Sequence, residues 1–175
     1  MKRPDRMFPF LFGHTKSIIK KERDPMKIAV FEEIPLIRTR LFALLQNHPH
    51  RERIQVESPL PREHYDLVLW EGARFTPRLS AAAQLTLVPF SVPVLHPPTA
   101  GLLLTGGMEG EASVSFSSIG EDSALLCVAR ELRLRGESVL PFERPVPFDR
   151  NFTLYKNLAA GFALSLADLY FGEVT

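Results

Sequence analysis

Three carboxylates in the first half of the chain stand where chemistry could be done. Glu32 and Glu33 directly follow the apolar run Lys27-Ile-Ala-Val-Phe31, and Glu71 directly follows Tyr65-Asp-Leu-Val-Leu-Trp70. Residues leaving the carboxyl end of a parallel strand sit where α/β proteins meet their ligands. Carboxylate oxygens at that place suit a divalent cation, so a metal-assisted site at Glu32, Glu33 and Glu71 is one reading. Glu32 and Glu33 equally suit the cap of a helix beginning near Pro35. Ser117 and Ser118 are a second candidate, for an anion. Ser118-Ile-Gly-Glu121 has the S-x-x-E form of a capping box, and a helix N-terminus attracts negative charge. Glu121 and Asp122 already complement that helix end and would repel a phosphate, which favours Ser118 as a simple cap.

Other chemistry finds less support. Gly106, Gly107 and Gly110 could cradle a phosphate only with a helix after them, whereas Ala112 to Ile119 alternates apolar and small polar residues. A β-hairpin over 101–119 is therefore expected. No P-loop, G-x-S-x-G, H-E-x-x-H or C-x-x-C pattern occurs. His48, His50 and His64, with Glu52 and Glu63, read as solvated loop residues rather than zinc ligands. The single cysteine, Cys127, reads as a small core residue of a helix with no histidine beside it.

The elements that would position these residues alternate. Lys27–Phe31 reads as a strand, Pro35–Asn47 as an amphipathic helix, and 53–57 and 65–71 as further strands, the last buried on both faces. One or two helical turns over 76–83, a strand over 85–88 and a proline-rich link over 89–98 follow. After the hairpin, Leu125, Val128, Ala129 and Leu132 share a helical face, and Gly136 stands where a helix would stop. Ser138–Phe142 is a strand that Pro141 confines to an edge or a strand end. A long helix capped by Asp149 or Asn151 and ended by Gly172 closes the chain, with Leu154, Leu158, Phe162, Leu166 and Leu169 on its apolar stripe.

With 175 residues, 45% hydrophobic and 23% charged, the chain can fill an ordinary core. A net charge of +1 argues against a dedicated nucleic-acid binder, and one cysteine suits a reducing, cytoplasmic compartment. Residues 1–27 carry eight basic and three acidic side chains against thirteen and seventeen in 28–175, so the leader is basic and the body acidic. Residues 1–25 read as a disordered leader ahead of a second start at Met26, or as a weak membrane-surface contact through Phe8, Phe10, Leu11 and Phe12. Neither a transmembrane segment nor a cofactor is implied.

Residues 27–71 resemble the opening of a response-regulator receiver domain. The family's acidic pair and P-L-I-R-x-x-L-x-x-L-L helix are similar to Glu32-Glu33-Ile-Pro-Leu-Ile-Arg-Thr-Arg-Leu-Phe-Ala-Leu-Leu45, and its D-L-V-L-x-D strand is similar to Asp66-Leu-Val-Leu-Trp-Glu71. The resemblance implies that Glu32 and Glu33 hold the place of the Mg²⁺-binding pair and Glu71 that of the phosphoryl acceptor. All three are Glu, one methylene longer than the family's Asp. The lysine that receivers need after the fifth strand has no counterpart between Lys27 and Lys156. A degenerate, non-phosphorylated receiver is what this implies.

The expected fold is thus α/β: a mixed, mostly parallel sheet with flanking helices in a single domain, 26–175. Its first half is Rossmann-like or receiver-like and its second half hairpin–helix–strand–helix. The expected function is a non-catalytic regulatory or interaction module with a protein partner or a second copy of itself. The alternative is a small-molecule or divalent-metal enzyme with its acidic site at the sheet edge.

Overall fold

The computed structural model describes residues 24–71, 82–91 and 101–172. Its strands are β1 (Met26–Phe31), β2 (Ile54–Glu57), β3 (His64–Trp70), β4 (Ala82–Pro89), β5 (Leu102–Gly106), β6 (Val114–Ile119), β7 (Ser123–Val128), β8 (Leu132–Leu134), β9 (Glu137–Val139) and β10 (Phe142–Pro147). Its helices are α1 (Leu36–Leu45) and α2 (Leu154–Phe171). Eight strands form one sheet in the order β10-β7-β6-β5-β4-β3-β1-β2, and β8 and β9 pair separately. From β2 across to β6 every neighbour is parallel, while β6–β7 and β7–β10 are antiparallel. This is the mixed, mostly parallel α/β sheet that alternating β and α patterns imply.

The strand patterns explain the layers. In β3, Tyr65 to Trp70 are all buried, as a central strand covered on both faces must be. Ile28 and Val30 of β1, Leu67 and Leu69 of β3, and Leu85 and Leu87 of β4 join Ile37 and Leu41 of α1 and Leu158, Phe162 and Leu166 of α2 in one core. Both helices thus lie on the same face of the sheet. The close seating of α2 depends on two glycines. A Cβ on Gly106 would stand 2.8 Å from Leu158, and one on Gly161 would stand 3.0 Å from Val146. The helix begins at Thr153, whose side chain accepts from the Lys156 N–H, so neither Asp149 nor Asn151 is its cap. Instead the Asp149 carboxylate turns the preceding chain by accepting from the Asn151 amide and side chain. Gly172 closes α2 in the left-handed conformation at φ 80°.

The second half departs from expectation twice. Leu102–Gly106 and Val114–Ile119 do not form a hairpin. They run parallel and meet only at Gly106 and Val114. A two-residue reversal needs positive φ, and among the described glycines only Gly136 and Gly172 have it. The segment expected as a helix after Ser118 is instead β7 followed by β8. Ser123-Ala-Leu-Leu-Cys-Val128 fits both periods, and as a strand it buries Ala124, Leu126 and Val128. Ladders to β6 on one side and β10 on the other decide the matter, since together they satisfy the strand's backbone groups. The second half is therefore β-rich, not hairpin–helix–strand–helix. Gly136, expected as a helix stop, forms with Arg135 the two-residue turn between β8 and β9, at φ 82° and 51°.

Pro145 and Pro147 lie in β10 at the sheet's edge, where proline is tolerated. The Phe148 N–H points inward to the Asp122 carbonyl at 2.8 Å, so the amides of 143, 145 and 147 face outward. Two of those three positions are proline and have no N–H to offer a further strand. The expected helical turns over 76–83 and the link over 89–98 fall mostly outside the described residues, as does the leader up to 23. Ala82 and Ala83 belong to β4. No helix among the described residues is long and apolar enough to cross a membrane.

At the amino-terminal edge of the sheet the Arg135 guanidinium meets the buried Asp66 carboxylate through Nε and Nη2, at 2.7 and 2.8 Å. The Lys27 amide donates to the same carboxylate at 2.8 Å. Replacing Arg135 by Met leaves Asp66 a buried, uncompensated charge and should cost about 3 kcal/mol in urea unfolding. Asp66→Leu in the same chain should restore part of that loss, a coupling that a double-mutant cycle reads directly.

Candidate functional site

The strand order places β2 on one side of β1 and β3 on the other, so the chain changes direction across the sheet at the carboxyl ends of β1 and β3. A crevice at such a point is where open α/β sheets take ligands. Phe31 pairs with Trp70, and the Glu71 amide donates to the Phe31 carbonyl at 2.9 Å. Glu32 and Glu71 therefore leave neighbouring strands at this edge, as the sequence suggested. The rings of Phe31 and Trp70 meet edge to face there, 5.9 Å between centroids.

Each carboxylate meets a different fate. Glu32 is committed to α1. Its side chain is fully buried, accepts from the amides of Ile37 at 2.6 Å and Arg38 at 3.1 Å, and pairs with Arg38 Nε at 3.3 Å. Two otherwise unpaired amides of the first helical turn are thereby satisfied by a charge that also complements the helix dipole. Glu33 is exposed. Glu71 pairs with Lys156 Nζ of α2 at 3.0 Å. Beside that pair, the Tyr155 hydroxyl reaches the carbonyls of Trp70 at 2.6 Å and Leu87 at 3.1 Å. Burial pushes the Tyr155 phenol well above its ordinary value, and the charge of Glu71 pushes the same way. One turn of α2 thus fastens the carboxyl ends of β3 and β4. Neither Tyr155 nor Lys156 stands out in the sequence as part of this edge.

Ser117 and Ser118 lie on β6 and not before a helix, which removes the basis for an anion site there. Ser117 is exposed, with its hydroxyl 3.4 Å from the Leu125 carbonyl, and Ser118 pairs with Leu125 where the β6–β7 register shifts. Cys127 is a half-buried strand residue opposite Glu143, not a helix residue. Burial raises its thiol pKa, and Glu143 adds to the rise, the opposite of what a nucleophile needs.

His48 is not a solvated loop histidine. Its ring is buried, with Nε2 3.0 Å from Asp168 and Nδ1 accepting the His50 amide at 3.1 Å. Asp168 also holds Arg144 at 3.3 Å, and His50 stacks on Phe171 at 4.6 Å. The cluster joins the end of α1 to the end of α2. A second joint runs from the middle of α1 to the first turn of α2, where Arg40 Nε donates to Asn157 at 3.1 Å and Arg40 Nη2 to the Pro147 carbonyl at 2.9 Å. Burial lowers the Arg40 pKa, with Asp149 opposing. Among the described residues no group of three or more His, Cys, Asp or Glu is arranged to hold a metal ion. Comparison of the chain with protein-family models, with curated proteins and with solved structures finds no match.

Replacing Glu32 by Ala should cost about 1–2 kcal/mol, in the range of lost helix caps, as measured by thermal or urea unfolding. The Tyr155 shift gives a signed pH dependence. Its folded pKa lies above the ordinary value of 10.0, so the unfolded chain loses the proton first. Its contribution to stability is complete below pH 10 and declines as pH rises from there toward the folded pKa. The Tyr155→Phe protein should show a shallower decline over that alkaline window, the remainder including Tyr65, whose pKa burial also raises.

Proposed function

We propose that residues 26–175 form a regulatory or protein-interaction module whose first half is a degenerate receiver working without phosphoryl transfer. The observation that carries this reading is the occupation of the sheet edge by the protein's own groups. Glu32, at the place of the Mg²⁺-binding pair, is consumed by the start of α1. Glu71, at the acceptor's place, is neutralised by Lys156. In the receiver pattern a lysine reaches this edge from the end of a strand, whereas here α2 supplies the ammonium. The parallel order β2-β1-β3-β4-β5 supports the same resemblance, because doubly wound sheets of the flavodoxin type share it. A fixed ion pair suits a surface held in one state and read by a partner, either another cytoplasmic protein or a second copy of the chain.

The second reading, an acidic metal-dependent enzyme, draws on Glu33, which is exposed beside the two committed carboxylates. For it to hold, a cation must displace Lys156 from Glu71.

The full chain incubated with acetyl phosphate and Mg²⁺ should gain no phosphoryl mass, and Mg²⁺ or Mn²⁺ should leave its unfolding temperature unchanged. In-cell crosslinking of the tagged chain should give one stoichiometric complex, recovered again when the partner carries the tag. Phosphoryl incorporation, or a cation-dependent rise abolished by Glu71→Gln, would sink the non-catalytic reading and establish the metal-dependent one.

A further inference from the structure

A hollow of about 410 Å³ opens between α1, the β6–β7 turn and the stretch leading from β10 into α2. That volume lies within the range of about 300–1,000 Å³ typical of small-molecule sites. Its charged lining comes from Arg40, Glu121, Asp122, Asp149 and Arg150. Three carboxylates against two guanidiniums leave the hollow acidic by one charge.

Arg40 is the unusual member, at only 7% exposed. Its Nε and Nη2 are held by Asn157 and Pro147, yet among the described residues Nη1 makes no hydrogen bond and no carboxylate comes within ion-pair distance. Nη1 retains contact with solvent. Asp149 acts on the guanidinium from farther away, with Oδ1 engaged by Asn151. A nearly buried charge without a contacting counter-ion is costly, and an anion against Nη1 would offset that cost. A bare anion would also face Glu121, Asp122 and Asp149. A molecule bearing both charges meets neither penalty.

We propose that this hollow binds a small α-amino acid, its carboxylate on Arg40 Nη1 and its ammonium among Glu121, Asp122 and Asp149. The net negative lining favours a basic side chain, which makes L-lysine the probe. Glu121 and Asp122 are exposed turn residues, and the Asp122 contact to Phe148 runs through its backbone carbonyl, so both side chains can be neutralised without disturbing the Arg40–Asn157 joint.

The test is calorimetric titration of the full chain with L-lysine and with cadaverine, which lacks the carboxylate. It is repeated on the E121Q/D122N protein, whose unfolding temperature is checked first. L-lysine should bind saturably, with cadaverine and the double variant each weaker by about tenfold or more, the size of one well-made charged contact. Absence of binding at about 10 mM L-lysine, weaker than any useful affinity for such a site, overturns the proposal. Equal affinity for cadaverine would show an acidic rim acting alone and overturn the role of Arg40. Unchanged affinity in the double variant would place lysine elsewhere on the protein and overturn the site.

Discussion

The contact between Asp66 and Arg135 is the constraint on which much of the remaining structure depends. Asp66 is 3% exposed near the start of a central strand, a place where a carboxylate survives only if its charge is met. Arg135 meets it with two parallel hydrogen bonds, the strongest geometry available between these groups. The other donors of the same guanidinium go to the Tyr170 hydroxyl at the end of α2 and to the carbonyls of Asp24 and Pro25 ahead of β1. Its face lies 5.0 Å from the Tyr170 ring centroid. One side chain therefore ties the β8–β9 hairpin, the end of the last helix and the entries to β1 and β3. It does so from a left-handed backbone position at φ 51°, which the tight turn with Gly136 imposes.

The two edges of the parallel sheet are closed by different means. At the amino-terminal edge the closure is the buried ion pair. At the carboxyl-terminal edge it is distributed, with Tyr155 on two strand carbonyls, Lys156 on Glu71, and Glu32 on the first turn of α1. α2 takes part in both edges, with Tyr155 and Lys156 in its first turn and Tyr170 in its last. Lengthwise it is also joined to α1 by Arg40–Asn157 at one end and His48–Asp168 at the other. A helix held at so many points transmits rather than absorbs displacement, since packed interiors are stiff.

Local pattern pointed the wrong way at two places, the connection after Leu102–Gly106 and the stretch from Ser123 to Leu134, and the reason is specific. Ala124, Leu125, Leu126, Cys127 and Val128 carry no breaker and satisfy either period, and Ser118 to Asp122 imitates a helix start. Only the presence of β6 and β10 on both sides makes the strand the better solution, because each ladder satisfies a row of backbone groups. The glycines at 106, 107 and 110 misled in the same way. The requirement at Gly106 is space against Leu158 and Tyr155, not a turn, and spatial neighbours are invisible along the chain.

By itself the sequence determined the first half, strand, helix, strand and buried strand from Lys27 to Trp70 with Glu32 and Glu71 at strand ends, and it determined the long closing helix stopped by Gly172. These rest on period, caps and prolines, which act over a few residues and so can be read in order. Tertiary structure alone decided that Ser123–Val128 and Leu132–Leu134 are strands, that Lys156 neutralises Glu71, that His48 is buried on Asp168, and that Arg135 answers Asp66 across 69 positions. Each of those outcomes is a pairing of charges or backbone groups brought together by the sheet. Such a pairing has no local signature, because its energy exists only once distant segments share the same low-dielectric space.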